Sequence, residues 1–221
     1  MRTNLDDRPV RVQTGTAELQ GDLRIPPGAR GIVVFAHGSG SGRHSPRNRF
    51  VADVLVNAGL GTLLIDLLTR DEETIDLQTA ELRFDIRLLA ERLGSVTDWL
   101  SGEPSAATLS VGYFGASTGA AAALIAASDR PERVRAIVSR GGRPDLAGPV
   151  LPRVRQPTLL IVGGDDDVVI ELNRQALREL SGIKQMMIVP GATHLFEEPG
   201  ALEQVAALAS EWFLRYLGKT P

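Results

Sequence analysis

Five residues, Gly115-Ala116-Ser117-Thr118-Gly119, place a serine between two glycines. The apolar run Val111-Gly112-Tyr113-Phe114 precedes them and the small-residue run Ala120 to Ala127 follows. A serine at such a strand-to-helix junction rides a sharp turn that lifts its oxygen above the sheet. A side chain at Gly115 or Gly119 would collide with the neighbouring strand or helix. The serine also lies at a helix N-terminus, whose partial positive charge favours a developing anion. A bare G-x-S-x-G is common by chance, and its plain alternative is a serine capping a helix. The strand–turn–helix setting is what nucleophilic chemistry requires.

A serine hydroxyl is a poor nucleophile until a base takes its proton. The chain has three histidines: His37, His44 and His194. His194, in Pro190-Gly191-Ala192-Thr193-His194-Leu195-Phe196, directly follows the run Gln185 to Val189 and is the expected general base. His37 opens the glycine-rich stretch His37-Gly38-Ser39-Gly40-Ser41-Gly42. That loop is assigned the oxyanion role, with the backbone amides of Ser39 and Thr118 as donors. His37 is expected to orient the loop rather than move protons. The orienting acid should lie in Gly163-Gly164-Asp165-Asp166-Asp167, and consecutive carboxylates cannot all face inward. Asp166 is the expected one and Asp165 the next. The plain reading of this run is a solvated acidic loop, and no second acidic cluster pairs with it to hold a metal. The chain order is Ser117, Asp166, His194.

These residues need a scaffold, and the apolar pattern supplies one. Val10 to Thr14 and Ala17 to Ile25 alternate around Gly15-Thr16, as in an antiparallel hairpin. Gly31 to Ala36, Gly61 to Asp66, Leu109 to Phe114, Val134 to Ser139, Pro157 to Val162 and Gln185 to Val189 are continuous apolar runs, expected of strands buried on both faces. Helical spacing covers Phe50 to Ala58, a long stretch from Leu77 to Leu100, Ser117 to Ser128, Ile170 to Leu180 and Ala201 to Leu217. The predicted architecture is an α/β fold. It has a mostly parallel twisted sheet of about eight strands with an N-terminal antiparallel hairpin, helices on both faces, and one domain over 1–221. The loops at the carboxyl ends of the strands form one rim, where such sheets bind ligands. The candidate residues cluster in those loops.

Composition excludes other classes. Of 221 residues 43% are hydrophobic and 23% charged, which argues against disorder. With no cysteine there is no disulfide scaffold, thiolate metal site or cysteine nucleophile. A net charge of -3 argues against nucleic acid as a partner. The polar N-terminus and the absence of a membrane-length apolar run point to a cytoplasmic protein with no membrane partner.

Taken together, His37 to Pro46, Gly112 to Gly119, Gly163 to Asp166 and Gly191 to His194 give the chain a resemblance, from about Val10 to Leu217, to α/β-hydrolases of the dienelactone-hydrolase-like group. The resemblance implies an esterase or lactonase with no cofactor and no large cap domain. One departure stands out: dienelactone hydrolases proper use a cysteine nucleophile, and this chain has Ser117.

The rim also carries arginines. Arg43 and Arg47 follow the His37 loop, Arg70 follows the Asp66 strand, and Arg140 and Arg143 flank Gly141-Gly142. Singly, each is expected to be solvated or paired with a carboxylate. As a group they suggest a carboxylated substrate, and His37, Arg43, Arg70 and Arg140 are the substrate-binding candidates. The expected activity is hydrolysis of a small carboxylic ester or lactone through an acyl-enzyme. The competing readings are a small-molecule binder on the same fold, and acyl transfer to an alcohol or peroxide. An exposed apolar edge strand is compatible with a homodimer.

Overall fold

The computed structural model of the protein describes residues 5–218. Strands β1 (Asp6–Thr14) and β2 (Ala17–Ile25) form the expected hairpin, with Thr14 opposite Ala17 and Gly15 at φ 59° in the two-residue turn. Along β1, Val10, Val12 and Thr14 are buried while Arg11 and Gln13 are exposed, the period-2 signature of a half-covered outer strand. Six further strands follow: β3 (Ile32–Ala36), β4 (Gly61–Ile65), β5 (Val111–Ala116), β6 (Val134–Arg140), β7 (Thr158–Gly163) and β8 (Lys184–Val189). The sheet order is β1-β2-β4-β3-β5-β6-β7-β8. The hairpin joins β4 antiparallel, and all later pairings are parallel.

Every residue of β3, β4, β5 and β7 is buried, which explains why these strands read as unbroken apolar runs. Alternate residues feed two cores. On one face, α1 (Pro46–Asn57) and α6 (Ala201–Leu217) cover Val33, Phe35, Phe114 and Val138. On the other, α3 (Ile86–Leu100) and α4 (Thr118–Ser128) cover Val34, Leu63, Tyr113 and Ile137. Helix α5 (Asp167–Glu179) adds Val169 and Ile170 against Val162.

One expectation is corrected. Leu77 to Leu100 is not a single helix. A separate α2 (Arg70–Thr79) ends at Ala80 in the left-handed conformation (φ 57°), a 3-10 turn spans Leu82–Phe84, and α3 begins after Asp85. Polar side chains override the apolar period. Asp85 accepts the Leu88 amide at 3.0 Å, and buried Asp76 accepts the Arg83 amide at 3.0 Å, which folds the chain back. A capping box at Thr69 and Glu72 starts α2. The rim connection Pro144–Arg153 is also a run of 3-10 turns.

Strand β3 has β4 on one side and β5 on the other, so the chain reverses its direction of growth there. The crevice at such a switch point opens between the loops after β3 and β5, the loops of His37 and Ser117. Among the described residues no helix is long and apolar enough to cross a membrane.

Candidate active site

Ser117 is the residue between β5 and α4, with φ 50° and ψ −121°. A non-glycine residue there is strained, and the surroundings enforce it. The Ser117 amide donates to the Arg140 carbonyl at 3.3 Å, and its own carbonyl accepts the Arg143 amide at 3.0 Å. The flanking glycines are required as anticipated. A Cβ on Gly119 would overlap the Ala36 carbonyl oxygen of β3, and one on Gly115 would lie 2.5 Å from the Ala120 Cα of α4.

His194 lies in the loop after β8. Its Nδ1 lies 2.7 Å from Asp166 Oδ2. Of the three consecutive aspartates it is Asp166 that turns inward, while Asp165 and Asp167 are exposed. Gly163 makes the approach possible, since a Cβ there would run into the Ala192 and Thr193 carbonyls. The ring rests over Gly141, whose φ of 52° lets the chain turn beneath it; a Cβ on Gly141 would be 3.6 Å from His194 Cε1. Gly141 is one residue beyond the carbonyl that holds the Ser117 amide. An imidazole with Nδ1 on a carboxylate presents Nε2 as a proton acceptor.

His37 is buried and both its ring nitrogens are engaged. The Leu67 amide donates to Nε2 at 2.9 Å, so Nδ1 must carry the proton that meets the Gly38 carbonyl at 3.0 Å. Burial pushes this imidazole below its ordinary 6.5, outweighing the Gly38 carbonyl and Asp66, which act the other way. It is a neutral clamp between the loops after β3 and β4. The loop it holds lies close to the strand–helix turn of Ser117: a Cβ on Gly38 would sit 3.0 Å from Ser117 Cβ. The Ser39 amide points at α4 and donates to Thr118 Oγ1 at 3.2 Å. The two expected oxyanion donors are therefore neighbours, on residues that touch.

The arginines separate into kinds. Arg43 is fastened to Asp66 by its guanidinium and, at 2.7 Å, by its amide. Arg47 pairs with Glu197 at 2.8 Å. Arg143 forms a fork on Asp145 at 2.9 and 2.8 Å. Arg70 is exposed at the start of α2. Arg140 is buried under the His194 loop, with its guanidinium 5.9 Å from the centre of the Phe196 ring. Sequence reasoning passed over Phe196 and Glu197, which carry no motif of their own.

A cleft of about 420 Å³ opens beside the elbow. Gly38, Ser39 and Thr118 form its inner edge, Arg47 one flank, and Leu77, Glu73 and the Asp76–Arg83 pair the outer wall. That wall comes from α2 and the turn after it, and only the Thr69-x-x-Glu72 capping pattern announced it. Burial raises the Glu73 carboxyl, with Asp66 adding to the effect. Among the described residues no cluster of three or more His, Asp or Glu could hold a metal.

The family model described as the dienelactone hydrolase family matches residues 19–217. The chain is similar to the solved dienelactone hydrolase of Anabaena variabilis, with 62% identity and a TM-score of 0.95 over 96% of this chain and 99% of that one. It is also 60% identical over 213 residues to two Mycobacterium tuberculosis proteins, from two strains, provisionally named phosphoribosyl transferases. That match takes in 96% of this chain but 47% of theirs, so the chain spans about half the length of these curated relatives. Est1E of Butyrivibrio proteoclasticus, at 15% identity and a TM-score of 0.77 over 94% of this chain and 98% of that one, shares the fold.

Proposed function

Because this chain belongs to the dienelactone hydrolase family, we propose that it is a serine hydrolase cleaving small carboxylic esters or lactones through an acyl-enzyme. Ser117 Oγ attacks the carbonyl carbon while His194 Nε2 takes its proton. Asp166 fixes the imidazole tautomer and stabilises the imidazolium that forms. The Ser39 and Thr118 amides receive the oxyanion, the Ser39 amide exchanging its bond to Thr118 Oγ1 for the substrate oxygen. Collapse of the tetrahedral intermediate expels the alcohol, which takes the proton from His194. Water then gives a proton to His194 and attacks the acyl carbon, and Ser117 leaves with that proton as the acid departs.

The observation that carries this reading is the 2.7 Å contact between Asp166 and His194, with the loop of His194 against Gly141, next to the residue whose carbonyl accepts the Ser117 amide. A cleft of about 420 Å³ is the size of a small-molecule site. Residues 19–217 here are taken up by the hydrolase family match.

The test is hydrolysis of p-nitrophenyl acetate, butyrate and octanoate by wild type and Ser117→Ala. Turnover should fall with chain length and should drop in the variant by about 10⁶-fold, the scale of a lost triad serine. Equal activity in the two proteins would exclude the mechanism.

A further inference from the structure

We propose that Arg92, a core residue outside the cleft, is a positioning residue for the reaction: through the Leu67 backbone and the His37 ring it sets the direction of the Ser39 amide. The inference rests on the hydrolase reading above and deepens it.

The chain of bonds starts in the core. Arg92 lies midway along α3, whose Leu89, Leu93 and Val96 are buried. Arg92 itself is only 7% exposed. A buried cation on an apolar helix is costly unless its donors are met. Its Nη1 donates to the Leu67 carbonyl at 2.7 Å and to Glu72 Oε2 at 2.7 Å, and its Nη2 donates to Glu72 Oε1. The carboxylate balances the charge. The bond to Leu67 leads to the site.

Leu67 lies past the end of β4, beyond the last β3–β4 pair. Its amide donates to His37 Nε2 at 2.9 Å, and His37 Nδ1 donates to the Gly38 carbonyl at 3.0 Å. That carbonyl shares one planar peptide unit with the Ser39 amide, so fixing the oxygen fixes where the N–H points. The N–H points at Thr118 Oγ1, 3.2 Å away, on the residue after Ser117. The far end of the same loop is fastened next door, where Asp66 accepts the Arg43 amide at 2.7 Å. Both ends of the loop therefore hang from Asp66-Leu67, and Arg92 ties Leu67 to a core helix. The loop is rich in glycine, at Gly38, Gly40 and Gly42, so its shape depends on such ties. A donor moved by about 1 Å loses much of its effect on a developing oxyanion, and the loss falls on the transition state.

The test compares wild type, Arg92→Met, Arg92→Lys and Glu72→Gln on p-nitrophenyl acetate. Arg92→Met should lower kcat by about ten- to hundredfold with KM within about twofold of wild type. Phenylboronic acid gives a second reading. Its boron accepts an electron pair from Ser117 Oγ as the hydroxyl proton passes to His194, and the tetrahedral anion that forms needs the same amides. Its binding should weaken in Arg92→Met by the same factor as kcat/KM. Glu72→Gln still offers Arg92 an acceptor and leaves the Leu67 bond in place, so its kcat should stay within about twofold. Arg92→Lys brings one nitrogen to acceptors that Arg92 meets with two, and should fall between wild type and Arg92→Met. Deuterium uptake over residues 38–43, relative to β5, should quicken about tenfold in Arg92→Met and stay unchanged in Glu72→Gln. A higher KM at wild-type kcat, an equal loss of kcat in Glu72→Gln, or unchanged uptake over 38–43 in Arg92→Met overturns the positioning role and leaves the hydrolase reading standing. Should Arg92→Met not fold, Arg92→Lys decides, and wild-type kcat with wild-type uptake in that variant overturns the role. With no hydrolysis of any ester by wild type, the hydrolase reading falls. Loop uptake then decides the positioning alone, a rise confined to the Arg92 variants supporting it and constancy overturning it.

Discussion

His37 and His194 are the same residue type at the same rim, and hydrogen-bond direction separates their roles. The Leu67 amide can only donate, so His37 Nε2 must accept and the ring must be neutral. Its folded pKa lies below the 6.5 of the unfolded chain, so the unfolded state binds the proton first as pH falls. The stabilising effect is complete above about pH 6.5 and declines below it, by at most about 1.4 kcal/mol per pH unit. Urea unfolding from about pH 8 down to about pH 5 should show this slope in wild type, and His37→Gln should remove it. Asp166 works in the opposite sense, as a permanent acceptor for the His194 Nδ1 proton. Asp166→Asn should leave the fold intact and lower kcat by about 10⁴-fold, because an amide supports the wrong tautomer equally well. At this scale the strained turn at Ser117 and the contact between Asp166 and His194 were legible in the sequence. Ser117, His194 and Asp166 follow from spacing and from which runs they terminate. Arg140 could be listed as a candidate but not ranked above Arg43, because only the folded chain shows that Asp66 pairs with one and that no carboxylate among the described residues pairs with the other.

Among the elements, the segment from Arg70 to Leu100 shows where periodicity misleads. Apolar residues continue at helical spacing through Leu82, Ile86 and Leu89, yet capping and ion pairs set the boundaries. Asp85→Ala should cost about 1 kcal/mol by removing the α3 cap, visible as a lower urea midpoint. The start of α2 is held by Glu72, which accepts from Thr69 and grips nearly buried Arg92. The Arg92 guanidinium holds this carboxyl down at about 2. The depressed value means the pair stabilises fully above pH 4.5 and loses its effect as pH falls toward about 2. Solvent reaches 27% of the Glu72 side chain, so screening limits the loss in Glu72→Gln to about 1 kcal/mol at neutral pH. The gap between variant and wild type should close as the pH is lowered through that window. Helix α6, by contrast, matches its predicted span of Ala201 to Leu217 because one apolar face, with Val205, Ala209 and Trp212, decides it. Strands β3 to β7 were legible for the same reason. Helix α2 was not, because it offers few buried apolar residues to give it a period.

At the scale of the molecule, alternating strands and helices implied a parallel sheet, but not the strand order. The order places the reversal at β3, and with it the crevice between the His37 and Ser117 loops. Arg140 is a buried cation with two idle donors at this rim. Replacing it by Met, of similar length and no charge, removes an unpaired buried cation and gives up one ring contact. Arg140→Met should gain about 1 kcal/mol, a rise in melting temperature of roughly 2–4 °C for a chain of this size. Finally, the amide that bonds Ser117 to the Arg140 carbonyl continues the β5–β6 ladder past the last strand residue. Releasing it requires parting two strands in the middle of an eight-stranded sheet. Its deuterium uptake should therefore be among the slowest in the chain, timed by global unfolding even though the residue lies at the rim of a cleft.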